Sequence, residues 1–171
     1  MRNPCHDIKI GTWNVRTLQS EGKIENIVKE MQREGLEVLG MSEARWKVSG
    51  ELTVGDTRIL YLGGTTKERG VAIDLRGKAM LSTIEVATIT DRNMRVRLKA
   101  LPVDLNIVQV YMPTSSYSDE EVEEVYEQVE EVIQRTKRGS CQIVMGDCNS
   151  QVGEGRECKT ICDYGLTEET G

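Results

Sequence analysis

The chain contains 171 residues, of which 38% are hydrophobic and 29% are charged, and its formal net charge is −6. This composition predicts one globular domain with a substantial core, and the negative charge argues against a protein that grips nucleic acid through bulk positive charge. No apolar run approaches the roughly 20 residues of a membrane span, and the N-terminal segment lacks the apolar core of a signal peptide. The five cysteines have no framework-like spacing, so we expect reduced thiols in an intracellular protein, nuclear or cytoplasmic and not secreted.

The first part of the sequence predicts a strand, a helix and a second strand. The segment "HDIKIGTWNV" is typical of a strand, and "LEVLGMSE" is a second short apolar run. Between them, "SEGKIENIVKEMQREG" carries Ile24, Ile27, Val28 and Met31 at helical spacing, and Gly35 is placed to end the helix. A strand, helix and strand with a short return predict two parallel neighbouring strands.

The rest of the sequence predicts a meander of short strands, one long helix and a last strand. The meander strands are "TRILYLGG", "GVAIDLRG", "STIEVATIT", "NMRVRLKAL" and "LNIVQVYMP". The helix is "SDEEVEEVYEQVEEVIQRTKRG", in which Ser118 and Glu121 form a capping box. Its predicted apolar stripe is Val122, Val125, Tyr126, Val129, Val132 and Ile133. The last strand is "CQIVMGD", and the segment after it has no clear periodicity.

Polar residues stand at the ends of four of these apolar strands. Because side chains alternate across a strand, each of them shares a face with apolar residues of its own strand. They are Asn14, Glu43, Tyr111, Asp147 and Asn149. A single Asp or Asn after a strand is also a common turn former, Glu43 alone is consistent with a cap, and Tyr111 alone with a core tyrosine. If the strand ends meet, their oxygens suit a hard cation such as Mg²⁺.

Five segments in order carry a resemblance to a known family: "IKIGTWNVRTL", "LGMSEARW", "RGVAI", "VQVYMPT" and "IVMGDCNSQVG". Together they resemble the endonuclease/exonuclease/phosphatase superfamily, and within it the endonuclease domains of non-LTR retrotransposons and the related craniofacial development protein 2-like sequences. The resemblance implies a four-layer α/β sandwich, in which two mixed β-sheets face each other and helices lie outside. It also implies Mg²⁺-dependent phosphodiester hydrolysis, with Mn²⁺ as a substitute and DNA as the expected substrate.

The resemblance also implies a role for each of the five polar residues. Glu43 resembles the family's metal-binding glutamate, and Asn14 resembles the asparagine beside the metal and the phosphate, so Asn14 is both a metal and a catalytic candidate. Tyr111 resembles the tyrosine that contacts the scissile phosphate. Asp147 resembles the aspartate that orients or deprotonates the attacking water, and Asn149 resembles the asparagine that steadies the phosphate. These residue types suit the chemistry, which needs a positioned water and charge neutralisation.

The sequence departs from the family pattern in two places. Some relatives carry an aspartate two residues after the first-strand asparagine, where this chain has Arg16, a candidate for the substrate phosphate that is otherwise a surface arginine. The family also closes with a Ser-Asp-His motif, whereas the one histidine here, His6, precedes the first strand. We therefore expect residues 1–171 to be a single domain that is incomplete at its C-terminus, comprising the N-terminal half to two-thirds of the fold.

Three functions compete on these grounds. The first is a retroelement-type DNA endonuclease whose activity is impaired or lost because the closing motif is absent. The second is a non-catalytic relic or interaction module, and the third is a phosphoesterase for a small or lipid substrate. We also expect self-association through an uncovered sheet face, because exposed apolar strands invite pairing.

Overall fold

The computed structural model describes residues 7–63, 70–114, 116–136 and 139–149. Nine strands in this part of the chain form two sheets, and three helices accompany them. The strands are β1 Ile10–Asn14, β2 Val38–Ser42, β3 Gly50–Val54, β4 Thr57–Tyr61, β5 Val71–Arg76, β6 Thr83–Thr90, β7 Asn93–Leu98, β8 Leu105–Tyr111 and β9 Cys141–Asp147. The helices are α1 Lys23–Glu34, α2 Gly77–Leu81 and α3 Asp119–Arg135. None of these helices is long and apolar enough to cross a membrane.

Both sheets are mixed, and each has one parallel pair. The first sheet has the order β1-β2-β5-β4-β3, with β1 and β2 parallel and the other pairs antiparallel. The second has the order β6-β7-β8-β9, with β8 and β9 parallel. The predicted parallel return after α1 is therefore confirmed.

The two sheets pack face to face around the main core. Strands β2, β4 and β5 supply side chains from one sheet, and β7 and β8 supply them from the other. Helix α1 covers the outer face of the first sheet, and α3 covers the outer face of the second. Helix, sheet, sheet and helix make four layers, which confirms the predicted α/β sandwich.

Helix α1 forms as its sequence predicts. Ile27, Val28 and Met31 are buried against the first sheet, and Gly35 ends the helix in a left-handed conformation with φ of 67°. Glycine adopts that conformation without steric cost.

Helix α3 differs in part from its prediction. The capping box of Ser118 and Glu121 is present, and Val125 and Val132 are buried. Tyr126 and Ile133, however, are 53% and 38% exposed, so the predicted stripe is wrong for these two residues. The helix contacts the sheet along a narrower line, over Val108 and Val110 of β8 and Met112 just after it.

Two elements, β3 and α2, were not predicted from the sequence. Strand β3 lies at the edge of the first sheet and is largely exposed, so only Leu52 and Val54 give it an apolar signal. Helix α2 has five residues, too few for a 3.6-residue period to show.

Candidate active site

The site lies where the C-terminal ends of two parallel strand pairs meet. In the first sheet Asn14 is level with Ser42, and in the second Tyr111 is level with Asp147. Parallel strands carry their carboxyl ends to the same edge of a sheet, where ligand sites of open α/β sheets commonly form. The packing of β1 beside β9 brings the two edges together.

Asn14 joins the two sheets at this edge. Its side-chain Nδ2 donates to Glu43 Oε1 at 2.8 Å and to Asp147 Oδ2 at 2.7 Å. Its Oδ1 accepts a hydrogen bond of 3.1 Å from the backbone N–H of Arg16, which fixes the orientation of the amide. Two carboxylates therefore share one amide donor, and their mutual repulsion is offset by hydrogen bonding to it.

Strand parity predicts the placement of three of the five site residues. Ile8 and Ile10 pack on the main core, as do Leu105 and Ile107 before Tyr111, and Ile143 and Met145 before Asp147. Asn14, Tyr111 and Asp147 follow these apolar residues on the inward face, as expected.

Glu43 reaches the site by a different route from the one predicted. Leu39 and Met41 face α1 on the outer side of the first sheet, so the expected shared face is wrong. Strand β2 ends at Ser42, and Glu43 adopts a left-handed backbone with φ of 58°. This conformation breaks the alternation and turns the Glu43 side chain toward Asn14.

Asn149 also lies outside its predicted strand, two residues after the end of β9. Strand β9 ends at Asp147, and the backbone N–H of Asn149 donates to Asp147 Oδ1 at 3.0 Å, which closes a tight turn. The φ of Asn149 is 45°, and its Nδ2 donates to the Met112 carbonyl at 2.6 Å. Asn149 is thereby anchored next to Tyr111, by a turn and not by strand parity.

Tyr111 is buried between the acidic cluster and a cation. Burial raises the pKa of the Tyr111 phenol most, and the negative charge of Glu43 raises it further. Asp147 acts in the same direction, whereas the charge of Arg92 opposes the increase. The phenol is therefore protonated at neutral pH and available as a hydrogen-bond donor.

Arg92 contacts Tyr111 and was not predicted as a site residue from the sequence. It is 4% exposed, and its guanidinium lies 5.5 Å from the centre of the Tyr111 ring and 4.8 Å from that of Tyr117. Its Nη1 donates to the Tyr111 carbonyl at 3.4 Å, and its own carbonyl accepts from the Tyr111 N–H at 2.9 Å. The only sequence signal was a basic residue just before an apolar strand.

Arg45 is the second functional candidate that sequence reasoning missed. Its Nη2 lies 2.6 Å from Glu43 Oε2, so the second oxygen of Glu43 also has a donor. Arg16, by contrast, has an exposed side chain, and its predicted contact with a phosphate stays a prediction. His6 lies outside the described residues.

The donor set fits a magnesium ion. Within the described part of the chain no group of three or more His, Cys, Asp or Glu side chains converges, so the site offers the two carboxylates of Glu43 and Asp147. Mg²⁺ typically binds proteins through one or two carboxylates and completes its shell with water and substrate phosphate. The Asn14 amide presents its nitrogen to both carboxylates, so in this arrangement it links them, and its role as a ligand stays a prediction.

Two relatives are similar to the chain in sequence. Craniofacial development protein 2 of Bos taurus is 34% identical over 145 residues, which are 84% of this chain and 24% of that protein. The same protein of Tragulus javanicus is 33% identical over 145 residues, 84% of this chain and 25% of its own length. The chain thus spans about a quarter of the length of these relatives, and no family model matches it.

Solved structures show the same fold at low sequence identity. The endonuclease domain of TRAS1, a telomere-specific non-LTR retrotransposon, has a TM-score of 0.62 at 13% identity, over 85% of this chain and 61% of that chain. An endonuclease/exonuclease/phosphatase family protein of Leptotrichia buccalis has a TM-score of 0.60 at 14% identity, over 85% and 67%. TDP2 of D. rerio, complexed with a single-strand DNA product, has a TM-score of 0.59 at 14% identity, over 85% and 62%.

Two facing mixed sheets with helices outside form an α/β sandwich of the kind seen in these neighbours. In fold, the chain is similar to the endonuclease/exonuclease/phosphatase family protein and to the retrotransposon endonuclease domain, and in sequence it is similar to craniofacial development protein 2, in agreement with the resemblance found in its sequence.

Proposed function

We propose that the cluster around Asn14 is the metal and phosphate site of a Mg²⁺-dependent DNA endonuclease of the retroelement type. The observation that carries this proposal is the amide of Asn14, which holds Glu43 and Asp147 together at the mouth of the inter-sheet core. Buried or half-buried carboxylates are costly to bring together unless a cation or hydrogen-bond donors compensate them. A site built to hold two of them beside a protonated tyrosine suits phosphodiester chemistry.

Glu43 and Asp147 would hold the metal. A bound magnesium ion would supply charge neutralisation at the non-bridging oxygens of the phosphate and lower the pKa of a water molecule. Asn14 donates to Glu43 Oε1 and so orients the carboxylate toward Asp147 before any cation binds.

Asp147, Asn149 and Tyr111 would act on the water and the phosphate. Asp147 is half-buried, and its carboxylate is an acceptor for a proton of the attacking water. The Asn149 amide uses one N–H on the Met112 carbonyl, and its second N–H is a donor for a phosphate oxygen. Tyr111, held protonated by burial, is a second donor for the developing charge on the phosphate.

DNA is the substrate that the neighbours favour. TRAS1 is a retrotransposon with an endonuclease domain, and the D. rerio TDP2 structure contains a single-strand DNA product. The net charge of −6 provides no long-range attraction for DNA, so local cations are the expected contacts. Arg16 and Arg45 flank the cluster on the first sheet.

A plasmid-nicking assay tests the proposal. Supercoiled plasmid is incubated with the chain in Mg²⁺ and in EDTA, and wild type is compared with Glu43→Ala and Asp147→Asn. We expect nicking only with Mg²⁺, and a loss of at least about 100-fold in both variants. Glu51→Ala is the matched control, because Glu51 lies on the edge strand β3 and pairs with Arg58 instead.

The same assay separates the endonuclease from a non-catalytic relic or interaction module. If wild type nicks no faster than Glu43→Ala while both show the same circular dichroism spectrum, this chain is not the nuclease. Nicking that persists in EDTA would contradict a metal-dependent activity of this chain.

Self-association is a second property that we propose for this chain. Strands β1 and β9 are edge strands of the two sheets and lie side by side at one margin of the sandwich. Trp13 on β1 and Val144 on β9 are each 46% exposed, and this exposed apolar surface supports the proposal. The inner faces of β2 and β5 are buried by the second sheet, so the proposed contact surface is this margin and not a whole sheet face. Sedimentation velocity over a hundredfold range of concentration would test it, and a concentration-independent monomer would rule it out.

A further inference from the structure

Both carboxylate oxygens of Glu43 already have a hydrogen-bond donor from the protein. Oε1 accepts from Asn14 Nδ2 at 2.8 Å, and Oε2 accepts from Arg45 Nη2 at 2.6 Å. The second contact joins opposite charges, and its length is typical of a charge-assisted hydrogen bond. The Glu43 side chain is 15% exposed and that of Arg45 is 37% exposed, so solvent screens the pair only in part.

The backbone between the two residues is built to hold this pair. Glu43 and Arg45 each have φ of 58°, in the left-handed region, and Ala44 between them is fully buried. The Ala44 N–H donates to the Gly70 carbonyl at 3.0 Å, and the Ala44 carbonyl accepts from the Leu18 N–H at 2.9 Å. Residues other than glycine rarely adopt this conformation twice within three positions, and such strain concentrates at functional sites.

Arg45 itself is held on both its main chain and its side chain. The Gln19 side-chain amide donates to the Arg45 carbonyl. Arg45 Nε is buried and has no hydrogen-bond partner among the described residues, so the polar contact of the guanidinium is directed at Glu43. The ion pair is therefore a fixed part of the turn after β2 and not a chance surface contact.

We propose that Arg45 lowers the affinity of this site for divalent cations, because it competes with them for Glu43. This inference rests on the metal site proposed above. A guanidinium that is hydrogen-bonded to one of two carboxylates cancels about half of their charge and repels a cation bound to the same group. A phosphate group is the other anion that Arg45 can pair with, so arrival of the substrate would relieve the competition and favour metal binding.

Manganese binding to the full chain tests the inference without any enzymatic readout. Free Mn²⁺ is measured by its electron paramagnetic resonance signal during titration of wild type, Arg45→Gln and Arg45→Lys. We expect Arg45→Gln to bind Mn²⁺ about tenfold more tightly, because the positive charge is lost. Arg45→Lys keeps the charge and should stay within about threefold of wild type.

Arg58→Gln is the matched control. It removes one arginine charge from the β3–β4 hairpin, where Arg58 pairs with Glu51, and it should change Mn²⁺ affinity less than about twofold. Arg45→Met is a second neutral variant that guards against disruption of the turn by glutamine, and circular dichroism verifies that each variant is folded.

The outcomes separate this inference from the proposed function. If wild type binds Mn²⁺ and Arg45→Gln and Arg45→Met bind it equally or more weakly, the competition is overturned while the metal site stands. If wild type, Arg45→Gln and Arg45→Met all bind no better than Glu43→Ala, the metal site itself is wrong and the inference falls with it. Tighter Mn²⁺ binding by either neutral variant than by wild type supports both the metal site and the competition.

Discussion

Asn14 on β1 and Asp147 on β9 are 133 positions apart in the chain, and a hydrogen bond of 2.7 Å joins them across the two sheets. The bond closes the edge of the sandwich at the point where the carboxylates gather. The same amide nitrogen also donates to Glu43, so Asn14 links the two carboxylates of the site.

Asn14→Asp should destabilise the folded chain at neutral pH. The change replaces a shared donor with a third carboxylate, and we expect a loss of roughly 1 to 3 kcal/mol in the free energy of unfolding. Crowded carboxylates raise one another's pKa in the folded state, so the loss should be small at acidic pH and should grow as pH rises. Urea denaturation at pH 4.5 and pH 7 measures this difference.

Asn26→Asp provides the control for that experiment. Asn26 is exposed in the first turn of α1, where an acid is tolerated, and the change should stay within about 0.5 kcal/mol. Equal stability of Asn14→Asp at both pH values would show that the amide does not hold two charged carboxylates together.

The Tyr111 phenol should respond to the charge of Arg92. Arg92 opposes the rise in the pKa of Tyr111, so Arg92→Met should raise that pKa further. The measurement is the absorbance of tyrosinate at 295 nm during alkaline titration, with Tyr111→Phe used to assign the signal. Tyr111→Phe should also reduce nicking by roughly 10- to 100-fold, because one donor to the phosphate is lost.

Arg95→Met is the comparison for Arg92→Met. Arg95 is a partly buried arginine on the same hairpin, but it pairs with Glu85. It should leave the pKa of Tyr111 unchanged. A pKa that falls or stays constant in Arg92→Met would mean that the guanidinium does not act on the phenol.

Regular strands explain how much of this site could be predicted from the sequence. Asn14, Tyr111 and Asp147 lie on regular strands whose earlier inward positions include apolar core residues, so their inward direction follows from the two-residue alternation. Glu43 and Asn149 have φ of 58° and 45°, and positive φ values in residues other than glycine leave no signal in hydrophobic periodicity. For these two residues the family resemblance identified the positions, although the parity argument did not.

Arg45 and Arg92 could not have been assigned from composition or periodicity. An arginine beside a strand is normally solvated, and its partner is what distinguishes it. Arg45 depends on the left-handed turn after β2, and Arg92 depends on Tyr111 and Tyr117, which lie 19 and 25 positions further along the chain. Most of the strands and helices were predictable from short-range pattern and the layers from the family resemblance, whereas these contacts are products of the tertiary structure.

Gly40 and Gln109 should behave as a coupled pair. A Cβ atom at Gly40 would lie 1.8 Å from Gln109 Oε1 and 2.6 Å from Met145 Cε, so the buried Gln109 side chain fills the space above the glycine. Gly40→Ala should destabilise by roughly 1 to 3 kcal/mol, because Gln109 must leave its hydrogen bond to Ser42 Oγ. Adding Gln109→Ala should recover at least about 1 kcal/mol relative to additivity.

Gly146→Ala should also destabilise the protein, but here no second substitution can remove the steric clash. A Cβ atom there would lie 1.8 Å from the Val110 carbonyl oxygen, which is backbone and cannot rotate away, and φ is 147°. The cost should exceed that of Gly40→Ala, and it should remain in the Gln109→Ala background. Urea denaturation of the single and double variants gives the coupling energies, and additive costs for Gly40 and Gln109 would contradict the packing described.

Asp74 should make the protein less stable as the pH rises. It is fully buried on the outer face of β5, and neither carboxylate oxygen has a hydrogen-bond partner among the described residues. Burial raises its pKa well above the ordinary value, so the folded state favours the protonated acid. An acid whose pKa is raised in the folded state stabilises that state fully at pH values below its pKa in the unfolded chain, which is about 4 for Asp. This contribution to the free energy of unfolding is lost as the pH rises toward the folded-state pKa.

Asp74→Asn replaces the acid with a neutral group of the same shape and should remove this dependence. We expect the variant to match wild type near pH 4 and to exceed it by roughly 1 to 3 kcal/mol at pH 7. Asp56→Asn gives the opposite control, because the pKa of Asp56 is lowered beside Gln32 and Arg76 although burial alone would raise it. If Asp74→Asn is no more stable than wild type at pH 7, the carboxyl has found a compensating partner and is not held neutral by burial.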